Sequence, residues 1–309
     1  MELNHKIYIK NYINKITVLL LICMGIYFIL IFPQFSSLGV KIGLNFCFET
    51  LIPSLFPFMV LSSFIIKSQI SISIGKFIDP FTKLLFKLPG CAGSTFLLGL
   101  IGGYPTGAKG VKTLLDQNQI SKSIANHMAM FTFGAGPAFI INVIGVQLLG
   151  SFQIGLILFA AHSISSIILG IFLSTFYKPG FKSEKTSLKL KAPSVSSAFV
   201  SSCVETTYAI MSMCAFVIIF SALINILNGS NITSFISNIL YYLKIPKSIC
   251  DSLVSVFLEV TSGSFNCIHS RVPLEFISFA LGWGGLCVHF QVYSFLDEIN
   301  RSEEHTSEL

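Results

Sequence analysis

The chain contains six long stretches that lack Asp, Glu, Lys and Arg. Charged residues make up 11% of the 309 residues, against about 25% in soluble proteins. So few charges cannot cover the surface of a soluble globule of this size, whereas about 20 apolar helical residues cross the hydrocarbon core of a bilayer. The pattern therefore predicts an all-α, polytopic membrane protein. The stretches are Ile16–Val40, Thr50–Ile66, Leu88–Ala108, Ser123–Tyr177, Thr206–Leu243 and Phe276–Leu296.

Two groups of lysines predict the orientation of the chain. Lys6, Lys10 and Lys15 precede an apolar run that has no small-residue cleavage site after it, so we expect an uncleaved membrane helix within residues 1–35. Five more lysines fall in residues 178–195 with Glu184 as the single acid. Lysine-rich segments stay in the cytoplasm. We therefore expect a multi-pass protein of the cell membrane with a cytoplasmic N-terminus, a cytoplasmic linker over 178–195 and membrane lipid as a partner.

Part of the sequence occurs twice. Cys47-Phe48-Glu49-Thr50 returns as Cys203-Val204-Glu205-Thr206, at an offset of 156 residues (203 − 47), and the same offset carries Thr106-Gly107 onto Ser262-Gly263. Each Cys-x-Glu-Thr is expected to open an apolar segment, with a separate short helix over Ser36–Thr50 before the first. We predict one repeat over 36–177 and a second over 196–300. Because the N-terminal lysines and the lysine-rich linker are both expected in the cytoplasm, the chain between them should cross the membrane an even number of times. Without the N-terminal helix, the first repeat then has an odd number of crossings, which favours inverted repeats.

Glycine clusters interrupt the apolar segments of both repeats. Gly102–Gly107 and Gly134–Pro137 lie in the first, and Thr261–Ser264 and Gly282–Gly285 in the second. Non-helical backbone at membrane depth must be buried in protein or face water. We therefore predict broken or re-entrant helices, and a shared site where the two repeats meet. The alternative is a set of structural kinks without a ligand.

Three acids lie beside these apolar segments: Glu49, Glu205 and Glu259. A carboxylate at membrane depth costs about 2.5–3.5 kcal/mol or more, so it usually faces a cavity or a partner. One interpretation is coupling to a cation or proton, or a hydrogen bond to a polar solute. The other is an acid at the membrane interface that stabilises the start of a helix.

The candidate cavity combines the acids with the broken segments, whose hydroxyls and free backbone groups could bind a small polar solute or an ion. Besides Glu49, Glu205 and Glu259 it includes Gly103, Tyr104, Pro105, Thr106, Gly107, Gly134, Gly136, Thr261, Ser262, Gly263, Gly284, Gly285 and Gln291.

Other functional classes lack sequence support. Hydrolase and phosphate-binding signatures are missing, so we expect no enzymatic activity and no cofactor. The eight cysteines form no Cys-x-x-Cys pair and the histidines are scattered, so we expect neither a disulfide framework nor a metal site. With no basic soluble domain, nucleic-acid binding is not expected, whereas protein partners are compatible with the sequence.

The last nine residues, 301–309, differ in character from the rest. Back-translated, Arg301-Ser-Glu-Glu-His-Thr-Ser-Glu-Leu309 matches a common sequencing-adapter oligonucleotide read in frame. We therefore expect these residues to be an adapter-derived artefact, with the second repeat truncated near Asn300.

Three motifs resemble a known family. They are Pro-Ser-Leu-Phe-Pro-Phe at 53–58, Gly-Tyr-Pro-Thr-Gly-Ala-Lys at 103–109 and Gly-Gly-Leu-Cys-Val-His-Phe-Gln at 284–291. Together they resemble the YlbJ-type sporulation integral membrane proteins, which are grouped with the nucleoside-recognition (Gate) domain proteins. The resemblance implies a membrane protein needed for the spore envelope, built from two Gate-like repeats of broken helices. It carries over no nucleoside site.

Two functional hypotheses follow. The first is a transporter-like protein that moves or senses a small polar solute during sporulation. The second is a non-transporting scaffold that recruits partners for assembly of the spore envelope.

Overall fold

The computed structural model describes residues 2–117, 119–177 and 194–294, with only the main chain for 2–11, 13 and 14. The predicted linker falls almost entirely in residues 178–193, and the predicted artefact in 301–309, both outside the described residues. Throughout the described ranges the regular structure is helical. The elements are α1 (Glu2–Ile31), α2 (Pro33–Phe46), a π-helical segment (Cys47–Leu51), α3 (Ile52–Lys67), α4 (Ile70–Phe86), α5 (Gly90–Gly102), α6 (Tyr104–Asp116), α7 (Lys122–Ala129), a second π-helical segment (Ala138–Leu148), α8 (Phe152–Phe176), α9 (Val195–Gly229), α10 (Ile232–Tyr242), α11 (Lys247–Leu258), α12 (Val260–His269), α13 (Leu274–Trp283) and α14 (285–294).

Four helical stretches of the described residues are long and apolar enough to cross a membrane: Pro33–Lys67, Phe152–Phe176, Val195–Gly229 and Leu274–Ser294. The α4–α5 pair, bent by 91°, adds a fifth if it is counted as one broken span. The N-terminal helix contributes a shorter apolar stretch, Lys15–Ile31. These helices confirm the predicted all-α, polytopic membrane fold.

The first long span corrects two expectations from the sequence. Residues 36–50 do not form a separate helix, because α2, the π-helical segment and α3 continue as one helix of 35 residues. The wider π-helical turn lies directly before Pro53, which cannot donate a backbone hydrogen bond, and it lets the helix continue through the proline. Neither Cys-x-Glu-Thr opens a segment: Cys47 starts the π-helical turn, and Cys203–Thr206 lies inside α9.

The two 35-residue helices pack against each other backbone to backbone. A Cβ placed on Gly39 would lie 2.6 Å from the Cα of Ala222, and one on Gly43 would lie 2.8 Å from the Cα of Ile218. Two glycines four residues apart give α2 a flat face, as in the close helix pairs of membrane proteins. This contact fixes α9 beside the α2–α3 helix, and both helices line the cavities described below.

The two main helix breaks are each one residue long. Gly103 (φ 82°, ψ −172°) separates α5 from α6, and Glu259 (φ −151°, ψ 125°) separates α11 from α12. The predicted breaks were too wide, because Tyr104–Gly107 already belong to α6 and Thr261–Ser264 to α12. The second break also begins earlier than predicted, since Glu259 caps α12 with its own side chain. The breaks lie 156 residues apart (259 − 103), the offset of the sequence repeat.

Two further breaks pack against these. A Cβ on Gly136 would lie 3.0 Å from the backbone nitrogen of Gly103, and one on Gly285 would lie 2.9 Å from the Cα of Glu259. The Tyr104 hydroxyl then joins the halves of the chain by donating a 2.6 Å hydrogen bond to the carbonyl of Leu281. All four breaks therefore meet in one place, which we call the crossing.

Candidate functional site

Two cavities lie along the same side of α3 and α9. The larger, which we call the polar cavity, has a volume of about 490 Å³ and is bordered by α3, α4, α5, α6 and α9. The smaller, the crossing cavity, has a volume of about 40 Å³. Pro105, in the first turn of α6, borders both, so this turn forms part of the wall between them.

The order of lining residues along the helices places the crossing cavity beyond the polar cavity. On α9, Glu205 and Ala209 line the polar cavity and Met213 lines the crossing cavity. At 1.5 Å per helical residue, Glu205 and Met213 are about 12 Å apart along the axis. On α3, Met59 borders the polar cavity and Leu55 the crossing cavity. The two cavities therefore follow each other along the long helices.

A charged cluster made by three helices lies in the polar cavity. Glu205 of α9 accepts hydrogen bonds from Lys67, at the end of α3, and from Lys109 of α6. The Lys67 ammonium also donates to the hydroxyl of Ser201. All three charged side chains are partly shielded from solvent, so the cluster bears a desolvation cost that only good pairing offsets. Two ammonium groups face one carboxylate, which leaves a positive charge at the cavity wall.

The crossing cavity contains a buried acid that caps a helix. Glu259 is 1% exposed. Its Oε1 accepts from the backbone N–H of Thr261 at 2.7 Å and its Oε2 accepts from that of Ser262 at 2.6 Å. These bonds satisfy two of the free N–H groups at the start of α12. Within residues 2–117, 119–177 and 194–294, no Lys, Arg or His forms an ion pair with this carboxylate.

Gln291 of α14 lines the same small cavity and is 3% exposed. Its Nε2 donates to the sulfur of Cys287 at 3.2 Å. Its Oε1 is buried and has no hydrogen-bond partner among the described residues. A buried acceptor without a donor costs about 1–3 kcal/mol. The crossing cavity is therefore lined both by an unsatisfied oxygen and by a carboxylate that forms no ion pair among the described residues.

The predicted site residues divide into four groups: those that line the crossing cavity, those that line the polar cavity, the exposed Glu49, and those with packing or capping contacts. The crossing cavity is lined by Gly103, Tyr104, Pro105, Gly136, Glu259, Thr261 and Gln291, and the polar cavity by Pro105, Thr106 and Glu205. Glu49 is exposed on the first π-helical segment and lines neither cavity.

The remaining predicted residues have packing or capping contacts. Gly107, Gly263 and Gly285 allow close backbone approaches to Thr132, Val256 and Glu259, respectively, and Gly284 (φ 75°) ends α13. Ser262 gives its N–H to Glu259. Gly134 leaves room for His162, whose Nε2 accepts from the backbone N–H of Ala135 at 3.1 Å and holds the 134–137 break.

The three residues that surround Glu205 in the charged cluster were not predicted from the sequence: Lys67, Lys109 and Ser201. A signal for the lysines was present, because each directly follows a charge-free stretch, Thr50–Ile66 or Leu88–Ala108. A lysine at the end of an apolar helix usually extends to the membrane surface. These two instead pair with an acid from another helix, which the local sequence does not reveal.

The fold defines a class, a multi-pass α-helical membrane protein with broken helices around polar cavities. Comparison with known proteins adds a particular relative. The chain is 27% identical over 292 residues to the sporulation integral membrane protein YlbJ of Bacillus subtilis (strain 168), covering 86% of this chain and 72% of that protein. This similarity supports the resemblance seen in the motifs. No protein-family model matches the chain, and no solved structure matches it.

Proposed function

We propose that this protein binds a small polar solute in the polar cavity and transports or senses it across the cell membrane during spore formation. The sporulation context rests on the similarity to YlbJ. The proposal assigns no catalytic step to the chain.

The charged cluster in the polar cavity is the observation that carries the proposal. A volume of about 490 Å³ falls within the 300–1,000 Å³ range of small-molecule sites. The cluster joins three different helices through Lys67, Lys109 and Glu205. A solute that binds to the cluster would therefore affect the relative positions of these helices. Because the cluster has one ammonium group in excess, we propose that the solute carries a negative charge, such as a carboxylate or a phosphate.

The arrangement of the breaks supports a transporter-like mechanism. Two single-residue breaks with the offset of the sequence repeat, at Gly103 and Glu259, both line the crossing cavity. We propose that they belong to inverted repeats of the Gate type, with the N-terminus in the cytoplasm. In such folds the repeats move relative to each other around a fixed site. The crossing would then be the closed end of the route that begins in the polar cavity.

The test removes the cluster charges one at a time. The variants Lys67→Met, Lys109→Met and Glu205→Gln would be expressed in a spore-forming host that lacks its own related gene. Lys76→Met and Glu49→Gln are the matched controls, because both residues are exposed and line neither cavity. We expect each cluster variant to reduce heat-resistant spores at least tenfold and the controls to have no effect.

Binding is measured separately on the purified protein. Small carboxylates and phosphates are screened for a rise in melting temperature, and a binding anion should lose its effect in Lys67→Met and Lys109→Met. Resistant spores from all three cluster variants would contradict the proposal. If such spores also depended on a stable complex of the chain with envelope-assembly proteins, the scaffold function would replace it.

A further inference from the structure

We propose that the crossing cavity is a binding site for one monovalent cation of about the size of Na⁺, with the Glu259 carboxylate and Gln291 Oε1 as ligands. The site is separate from the polar cavity and does not depend on the solute proposed there. Three properties of the cavity support it: its charge, its unsatisfied acceptor and its size.

The charge of the cavity calls for a cation. Glu259 is almost completely buried, and the described residues place no cationic side chain against it. The start of α12 supplies about half a positive charge, which leaves part of the carboxylate charge uncompensated. Each carboxylate oxygen accepts one backbone hydrogen bond. A carboxylate has about four lone-pair sites, so each oxygen can also bind a cation. One carboxylate balances a monovalent ion, whereas Ca²⁺ sites usually combine several acidic ligands.

The unsatisfied acceptor supplies a second oxygen. Gln291 uses its Nε2 on Cys287, so Oε1 is the amide atom left without a partner in the buried cavity wall. Hard cations prefer oxygen ligands of this kind. The carboxyl end of α5, at Gly102 and Gly103, borders the same cavity. Broken helices in membrane transporters coordinate Na⁺ with such helix ends and unwound carbonyls.

The size of the cavity favours a small ligand. Its volume of about 40 Å³ exceeds the roughly 10–15 Å³ that one water molecule requires and is far below the volume of about 490 Å³ of the polar cavity. The cavity therefore has room for a small cation or for water, whereas the polar cavity is the better fit for the larger solute proposed there. A water would pair with Gln291 Oε1 yet leave the charge of Glu259 uncompensated. The opposite amide orientation would turn N–H donors toward the carboxylate and remove the cation site, which the experiment below distinguishes.

The chain contains its own reporter for this site. Trp283, the single tryptophan of the sequence, stacks on Phe257 at 5.1 Å and donates from Nε1 to the Phe257 carbonyl at 3.1 Å. Phe257 lies two residues before Glu259, and Trp283 directly precedes the break at Gly284. The fluorescence of Trp283 should therefore respond when the crossing cavity is filled.

The experiment titrates the purified full chain in lipid nanodiscs with NaCl against choline chloride at constant ionic strength. We expect a saturable fluorescence change with Na⁺ and none with choline. Glu259→Gln should abolish the change, and Gln291→Met should weaken the apparent affinity at least tenfold, the effect of losing about 1.4 kcal/mol. Glu49→Gln and Gln153→Met make the same chemical changes at exposed positions and should behave as the wild type.

Several results would overturn the proposal. A flat or choline-like response of the wild-type chain would show that the cavity holds water or that the amide has the opposite orientation. An unchanged Na⁺ affinity in Gln291→Met would remove the proposed ligand. If Glu259→Gln is not monodisperse in size-exclusion chromatography, the wild-type titration and Gln291→Met decide the question. Binding of ²²Na⁺ to the same samples checks that the fluorescence change reports occupancy.

Discussion

Replacement of Gly285 by alanine tests the contact that builds the crossing. The residue has φ 74°, and a Cβ there would lie 2.9 Å from both the Cα and the backbone nitrogen of Glu259. Holding alanine in a left-handed conformation costs about 1–2 kcal/mol. Forcing an extra carbon against packed backbone costs about 1–3 kcal/mol more, because main-chain atoms cannot rotate away as a flexible side chain can. Gly285→Ala should therefore destabilise the protein by about 2–5 kcal/mol.

Gly282→Ala is the matched control, three residues earlier in the chain. Gly282 is helical, and a Cβ there meets nothing within 4 Å. Alanine is favoured over glycine inside a helix by about 0.8–1 kcal/mol, so this variant should be neutral or slightly more stable. The two substitutions add the same methyl group, so their difference combines the crossing contact with the left-handed strain at Gly285 and the helix preference at Gly282.

The free energy of unfolding can be measured by SDS titration in mixed micelles, followed by far-ultraviolet circular dichroism. We expect Gly285→Ala to unfold at a clearly lower SDS fraction than both the wild type and Gly282→Ala. Equal stability of the two alanine variants would refute the reasoning, because it would mean that α14 does not start against the backbone of Glu259.

Two further substitutions test other contacts between the halves of the chain. Tyr104→Phe should lower the free energy of unfolding by about 1–3 kcal/mol, since the buried carbonyl of Leu281 loses its donor; Tyr241→Phe, at an exposed ring, should not change it. Gly43→Leu should separate α2 from the backbone of α9 and lower the melting temperature, whereas Gly25→Leu, where a Cβ meets nothing within 4 Å, should leave it unchanged. A melting temperature equally insensitive to both leucine variants would exclude the close α2–α9 contact.

Local sequence properties were sufficient to predict the class of fold and the approximate location of its breaks. Apolar length predicted the spans, and glycine clusters located the breaks near Gly103 and Gly284. The break at Glu259 was placed two residues late, because the sequence does not show that this acid caps the next helix with its own side chain. The π-helical turn before Pro53 was missed for a similar reason, since proline alone indicates an interruption and not how the helix adapts to it.

The charged cluster could not be predicted, because it depends on tertiary contacts. Lys67 and Lys109 read as ordinary lysines at the ends of apolar helices, and Glu205 alone has no evident partner. Only the packing of α3, α6 and α9 brings the three together. Glu49 shows the opposite case: it shares its repeat position with Glu205, but its helix turns it away from both cavities.

The turn of α6 that contains Pro105 has an electrical consequence. One helical turn is about 5.4 Å long, far less than the roughly 30 Å of the hydrocarbon core. If water from one compartment fills the polar cavity, as the proposed function requires, that conducting volume brings the electrical potential of the compartment close to Pro105, and the membrane voltage falls over the part of the protein beyond it. An ion that passes this turn to reach Glu259 would cross part of the membrane voltage, which in full is equivalent to about 2.3 kcal/mol per elementary charge per 100 mV. Occupancy of the proposed cation site at Glu259 would then depend on the membrane voltage as well as on the concentration of the cation.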